Sequence, residues 1–125
     1  MTYDSAAATL PPTVPDIETL EDLLSRPSPA LIEDLRQVEG DILILGAGGK
    51  IGPSLARMAK RACPDKKVFA VARFSDATLA EKLTAEALEV IKADLMDRTA
   101  IEGLPKVANV IVLAGPKVGS SGDLA

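Results

Sequence analysis

Asp41-Ile42-Leu43-Ile44-Leu45-Gly46-Ala47-Gly48-Gly49-Lys50-Ile51-Gly52 is the stretch on which the reading of the fold turns. An apolar run, Ile42 to Leu45, stops at a glycine-rich turn, and the turn opens into a helical pattern. Gly46, Gly49 and Gly52 form G-x-x-G-x-x-G, and Gly48 adds an overlapping G-x-G. Each glycine has a mechanical reason: Gly46 permits a tight exit from a strand, Gly49 lets backbone approach a ligand with no Cβ in the way, and Gly52 allows close packing of the helix. Backbone amides near Lys50 and Ile51 then stand at a helix N-terminus, where the dipole favours an anion. The pattern is that of a loop holding the pyrophosphate of a dinucleotide. A Walker-type loop needs Ser or Thr after Gly-Lys, and Lys50 is followed by Ile51.

The same alternation continues downstream. After the turn, Ile51, Leu55, Met58, Ala59 and Ala62 fall on one helical face, with Ser54, Arg57, Lys60 and Arg61 on the other, solvated face. Pro53 suits a first turn, and the three cations suit the helix C-terminus. Val68 to Ala72 reads as a second strand ending at Arg73. Ser75-Asp76 can cap a helix from about Ala77 to Ala87. Val90 to Ala93 reads as a short third strand, Asp97 caps a helical turn through Ile101, and Val107 to Leu113 is a fourth strand followed by Ala114-Gly115-Pro116. Strands alternating with helices at this spacing predict a parallel, doubly wound α/β sheet of the Rossmann-like kind.

Upstream, residues 1–15 hold Pro11, Pro12 and Pro15 and read as an extended or disordered lead-in. Ile17, Leu20, Leu23 and Leu24 mark a short amphipathic helix, which Pro27 and Pro29 interrupt. Leu31, Ile32, Leu35 and Val38 mark a second. The expected division is therefore 1–40, a partly disordered extension with two short helices, and 41–125, a dinucleotide-binding domain incomplete at its C-terminal side. The apolar faces of the two helices are expected to pack across the sheet or against a partner region, with a homodimer contact as the sharper alternative.

Composition narrows the function classes. Fourteen basic residues against eighteen acidic ones give a net charge of −4, which offers nothing to nucleic acid or an anionic membrane. Aromatics make up 2% of the chain, so the core is Ala, Val, Ile and Leu, as parallel sheets commonly are. No apolar run approaches the ~18 residues of a membrane span, and residues 1–9 lack the pattern of a secretory signal. Histidine is absent from the sequence, which removes a histidine base or metal ligand; no metal site is expected. Cys63 stands alone and is expected to be a packed thiol in a reducing, cytoplasmic setting.

The end of the second strand bears on which dinucleotide binds. An acid gripping the adenosine ribose is expected about 20 residues beyond the loop; Arg73 occupies that place. An acid would repel a 2′-phosphate, whereas Arg73 can pair with it, helped by Lys50 and Ser75. The expectation is NADP or NAD, with NADP favoured, and Asp76 keeps a ribose-binding NAD mode open.

With these residues in hand, Gly46-Ala47-Gly48-Gly49-Lys50-Ile51-Gly52 resembles the G-A-x-G-x-I-G loop of the extended short-chain dehydrogenase/reductases, the NAD-dependent epimerase/dehydratase group. Ala93-Asp94-Leu95-Met96-Asp97 resembles that family's A-D-L-x-D segment, and Val110 to Gly115 resembles its V-I-H-L-A-A/G strand end. The resemblance covers about residues 41–115. It implies that Asp94 and Leu95 lie against adenine and that Ala114 and Gly115 lie beside the nicotinamide-side ribose. It implies strand order 3-2-1-4, with the fourth strand an uncovered edge, so that the sheet is truncated after about four strands. It implies hydride transfer on a nucleotide-sugar-like or other carbonyl/alcohol substrate. The family's catalytic Tyr-x-x-x-Lys pair has no counterpart: the one tyrosine is Tyr3, without a lysine four places on. No residue of this chain is therefore expected to be catalytic. The rival readings are a non-catalytic dinucleotide-binding or sensing module, an inactive truncated fragment, and an unrelated α/β domain whose glycine turn is only structural.

Overall fold

The computed structural model describes residues 10–113. Five helices and four strands follow one another: α1 (Ile17–Leu24), α2 (Pro29–Gln37), β1 (Ile42–Leu45), α3 (Gly52–Ala62), β2 (Val68–Ala72), α4 (Ala77–Ala85), β3 (Glu89–Lys92), α5 (Arg98–Glu102) and β4 (Asn109–Val112). The strands form one sheet in the order β3-β2-β1-β4. All pairings are parallel, with Leu43 opposite Phe69 on one side and Val110 on the other. A Rossmann-like α/β sheet with flanking helices is thus the observed fold.

Side chains alternate across the sheet, so each strand feeds two cores. Ile42, Ile44, Val68 and Ala70 lie in a cluster with Ala56 and Ala59 of α3 and Leu83 of α4, against which Leu35 of α2 also packs. Leu43 and Val71 face the other way and are closed by Leu104, with Phe69, Ile91, Leu95 and Val107 around them. The central strand β1 is buried on both faces through Ile44. Strand β4 is a half-exposed edge, and its Val110 and Val112 are exposed.

Ile51, on the apolar face of α3 by spacing, is instead its N-cap and is 66% exposed. Arg57, on the solvated face by spacing, is instead 6% exposed. Its Nε donates to Glu86 Oε2 at 2.8 Å and Oε1 at 3.0 Å, and Glu21 lies 3.9 Å from its Nη1. A guanidinium can be buried there because two carboxylates meet it at the α1–α3–α4 junction.

Helix α1 departs from one of its expected placements: it packs on α3 rather than across the sheet, and its charged side faces the body. Arg61 of α3 donates to the Asp22 carbonyl oxygen at 3.0 Å and to Ser25 Oγ at 2.9 Å, while Lys82 of α4 lies 3.5 Å from Glu21. Ile17, Leu20 and Leu24 are left exposed. The cations of α3 and α4 thus decide which side of α1 faces inward. Lys60, by contrast, does what its place near a helix C-terminus suggests: its Nζ donates to the carbonyl oxygens of Pro64 and Lys66.

Cys63 is buried, its Sγ within 2.9 Å of the Ala59 carbonyl oxygen. Burial pushes its thiol pKa up, away from a reactive thiolate.

Candidate functional site

The carboxyl ends of parallel strands are where open α/β sheets bind ligands. Here the loop after β1, Arg73 after β2 and Asp94-Leu95 after β3 all stand at that end. Strand β4 reaches the same end, where the Leu113 amide donates to the Leu45 carbonyl oxygen at 2.8 Å. Ala114 and Gly115, expected next, lie outside the described residues.

The glycine loop is pinned at its start. The amides of Gly46 and Ala47 both donate to the Val71 carbonyl oxygen, at 2.8 and 3.0 Å. Gly46 sits at φ +88°, a left-handed conformation that a side chain would strain. Ala47 is fully buried. Gly48 to Ile51 are exposed, and α3 begins directly behind them.

Each glycine meets a different neighbourhood. A Cβ on Gly52 would lie 2.6 Å from the Ala47 carbonyl carbon and oxygen, so this glycine lets the helix rest on the loop's own backbone. A Cβ on Gly48 would lie 3.1 Å from Ala72 Cβ and 3.9 Å from the Phe74 ring. A Cβ on Gly49 would meet only the Gly46 carbonyl oxygen, at 3.8 Å. Gly49 therefore faces open space, and the protein's own packing does not demand a glycine there.

Helix α3 is also capped differently from its neighbours. Asp16, Ser28, Asp76 and Asp97 accept amide hydrogens at the starts of α1, α2, α4 and α5. Ile51 provides no side-chain cap to α3, and its first turn carries no acid. Among the described residues, no acceptor meets the amides of Lys50, Ile51 and Gly52. Donors at a helix start normally find a partner. Amides with no acceptor among the described residues, the positive end of the dipole and the open face of Gly49 together suit an anion such as a phosphate.

The second expected group stands beside it. Arg73 is exposed, and none of the ion pairs among the described residues uses it. Lys50 and Ser75 are exposed as well. Asp76 Oδ1 is occupied as the cap of α4, accepting from Thr78 and Leu79. Asp94 Oδ1 accepts from the Met96 amide at 2.9 Å, which shapes the turn after β3. Leu95 is partly buried against the Leu43–Val71 cluster.

The glycine spacing did not single out Phe74. It is 6% exposed and sits at φ +46°, a conformation rare for a bulky side chain. An aromatic two places beyond Ala72, in step with the alternation of β2, was its one available signal. Among the described residues no cluster of histidine, cysteine or acidic side chains is placed to hold a metal ion, and no helix is long and apolar enough to cross a membrane.

A family model described as the NmrA-like family matches residues 39–121, from just before β1 to beyond β4. Helices α1 and α2 precede the matched segment. Neither a curated protein nor a solved structure matches the chain significantly.

Proposed function

The chain belongs to the NmrA-like family, an NAD(P)-binding Rossmann-type family related to the short-chain dehydrogenase/reductases, and from that premise we propose how these residues divide the dinucleotide between them. Gly46, Gly48, Gly49, Lys50, Ile51 and Gly52 receive the pyrophosphate. Arg73 takes the 2′-phosphate of NADP. Asp94 and Leu95 border the adenine, and Ala114 and Gly115 border the nicotinamide-side ribose. The observation that supports this most is the start of α3, uncapped where the other four helices have side-chain caps and faced by a glycine whose Cβ direction is open.

The bound nicotinamide would supply a hydride acceptor or donor. The residues of this chain bind and orient it: amides hold the diphosphate, and the Arg73 guanidinium pairs with a phosphate at the adenosine end. In this reading residues 41–125 are the cofactor-binding part of a cytoplasmic epimerase/dehydratase or reductase. Its small substrate is nucleotide-sugar-like or another carbonyl or alcohol. Tyr3 is the one tyrosine of the 125 residues and has Ala7 four places on. A proton-transferring tyrosine–lysine pair would therefore have to come from outside them. That observation favours one second reading, a dinucleotide-binding or sensing module without chemistry.

The test is titration of the chain with NADPH and NADH, following the cofactor's fluorescence. Saturable binding, tighter for NADPH, is the expected result. Absence of saturable binding by folded protein refutes both readings. Turnover of a carbonyl substrate by a longer chain containing the tyrosine–lysine pair separates the enzyme from the module.

A further inference from the structure

We infer that Phe74 is a positioning residue of the dinucleotide site, its ring the floor under the glycine loop. The inference rests on the reading of that loop as the pyrophosphate cradle, and it assigns work to a residue outside the cradle.

Two independent features carry it. The first is backbone: Phe74 and Ala87 are the non-glycine residues at positive φ among the described residues, and Phe74 lies at +46°. A bulky residue held in that region costs free energy, and such strain persists where surroundings over-determine it. Strand alternation from Val68, Ala70 and Ala72 already puts Phe74 on the face of the cluster these residues share, with Arg73 exposed; the left-handed backbone at Phe74 redirects the chain toward α4 while the ring stays in the core.

The second feature is packing. Phe74 belongs to the cluster that holds Ala47, Ala72 and Ala56. Its Cδ1 and Cε1 come within 3.9 and 4.0 Å of the place a Cβ on Gly48 would take. The loop is tied to β2 through the Val71 carbonyl oxygen at Gly46 and Ala47. Past that point, Ala72 and Phe74 are what the Gly48 backbone approaches. A cradle made of backbone amides works only if those amides are held to a fraction of an ångström. A single ring that closes the core beneath Gly48 holds that stretch of backbone in place.

Asn tolerates a left-handed backbone but lacks the ring, so F74N removes the floor without straining the chain. With folding verified by circular dichroism, F74N is expected to weaken NADPH and NADH alike by about tenfold, since a shift near 1 Å is costly to a positioned group. Its NADPH-to-NADH affinity ratio should stay that of the wild type. F74L, which retains an unbranched Cβ and apolar bulk, should recover affinity to within about threefold. A residue that served stability alone would lower the melting temperature and leave the affinities of the folded protein unchanged. Should F74N not fold, F74A, which removes the ring at a positive φ that Ala87 also adopts, should weaken both cofactors. Folded F74N or F74A with wild-type affinity for both cofactors overturns the inference while leaving the cradle reading intact. Wild-type protein that binds neither cofactor overturns both.

Discussion

Gly49→Val and Gly52→Ala are two changes three residues apart in one loop, and they should fail in opposite ways. The space around Gly49 is open: a Cβ there approaches nothing nearer than the Gly46 carbonyl oxygen at 3.8 Å, and the residue is absent from the glycines at positive φ. Valine therefore fits the protein alone. Replacing a glycine in a compatible conformation can even add about 0.4–1 kcal/mol by restricting the unfolded chain. The side chain would, however, stand where the pyrophosphate must approach the backbone. Losing two charge-assisted amide–phosphate hydrogen bonds at about 1.5–3 kcal/mol each removes about 3–6 kcal/mol. That corresponds to a loss of roughly 100- to 10,000-fold in NADPH affinity. Gly52→Ala reverses the pattern, because its methyl group would lie 2.6 Å from the Ala47 backbone. Overpacking against a main chain costs about 1–3 kcal/mol, a fall on the order of 10 °C in melting temperature for a domain of this size. Fluorescence titration reads the first effect and thermal unfolding the second. Wild-type NADPH affinity in Gly49→Val would refute the pyrophosphate assignment; an unchanged melting temperature in Gly52→Ala would refute the packing argument.

Other outcomes follow from the same geometry. Arg73→Asp should weaken NADPH by about 1.5–3 kcal/mol, or roughly 10- to 100-fold, by removing a charged hydrogen-bond donor, and leave NADH as tight or tighter; parallel titrations read the switch, and equal loss for both cofactors would contradict it. Glu86→Ala leaves the buried Arg57 guanidinium with Glu21 alone, 3.9 Å away; because Glu86 itself is partly exposed, the cost should be about 1–2 kcal/mol, below the range for a fully buried pair, read by urea unfolding, and no change would show the pair to be dispensable. Helix α1 should loosen in acid. The Arg26 side chain, with Arg61, holds the Asp22 carboxyl below its usual 3.8, and the Thr19 hydroxyl and amide do the same for Asp16. A lowered folded-state pKa gives stability that is present above the unfolded value and lost as pH falls through the folded one. Hydrogen exchange across residues 17–24 should therefore rise, beyond its intrinsic pH dependence, only below about pH 4; flat protection down to pH 2 would sink this account.

Much of the fold was legible because its signals are local. The apolar run of β1, the glycine turn and the amphipathic start of α3 are contiguous, and each obeys a short-range rule. The caps at Asp76 and Asp97 could be assigned for the same reason, since a cap bonds two or three residues along the chain. What failed was whatever depended on a distant partner. Arg57 looked like a surface cation because nothing near it in sequence announces Glu86, 29 residues on. The leucines of α1 predicted an inward apolar face, but Arg61 and Lys82 drew its acidic face inward instead. Phe74 falls in step with Val68, Ala70 and Ala72, but only folding showed that its ring stays in their core past the end of the strand.

The chain's residues alone determined the parallel α/β class and the glycine turn between β1 and α3, because backbone freedom and hydrophobic periodicity are written into neighbouring positions. Tertiary structure alone decided that Gly49 faces open space while Gly52 faces backbone, that a guanidinium lies buried among carboxylates, and that an aromatic ring closes the core under the loop. Those facts concern what stands on the other side of a residue, and only folding brings that side into being.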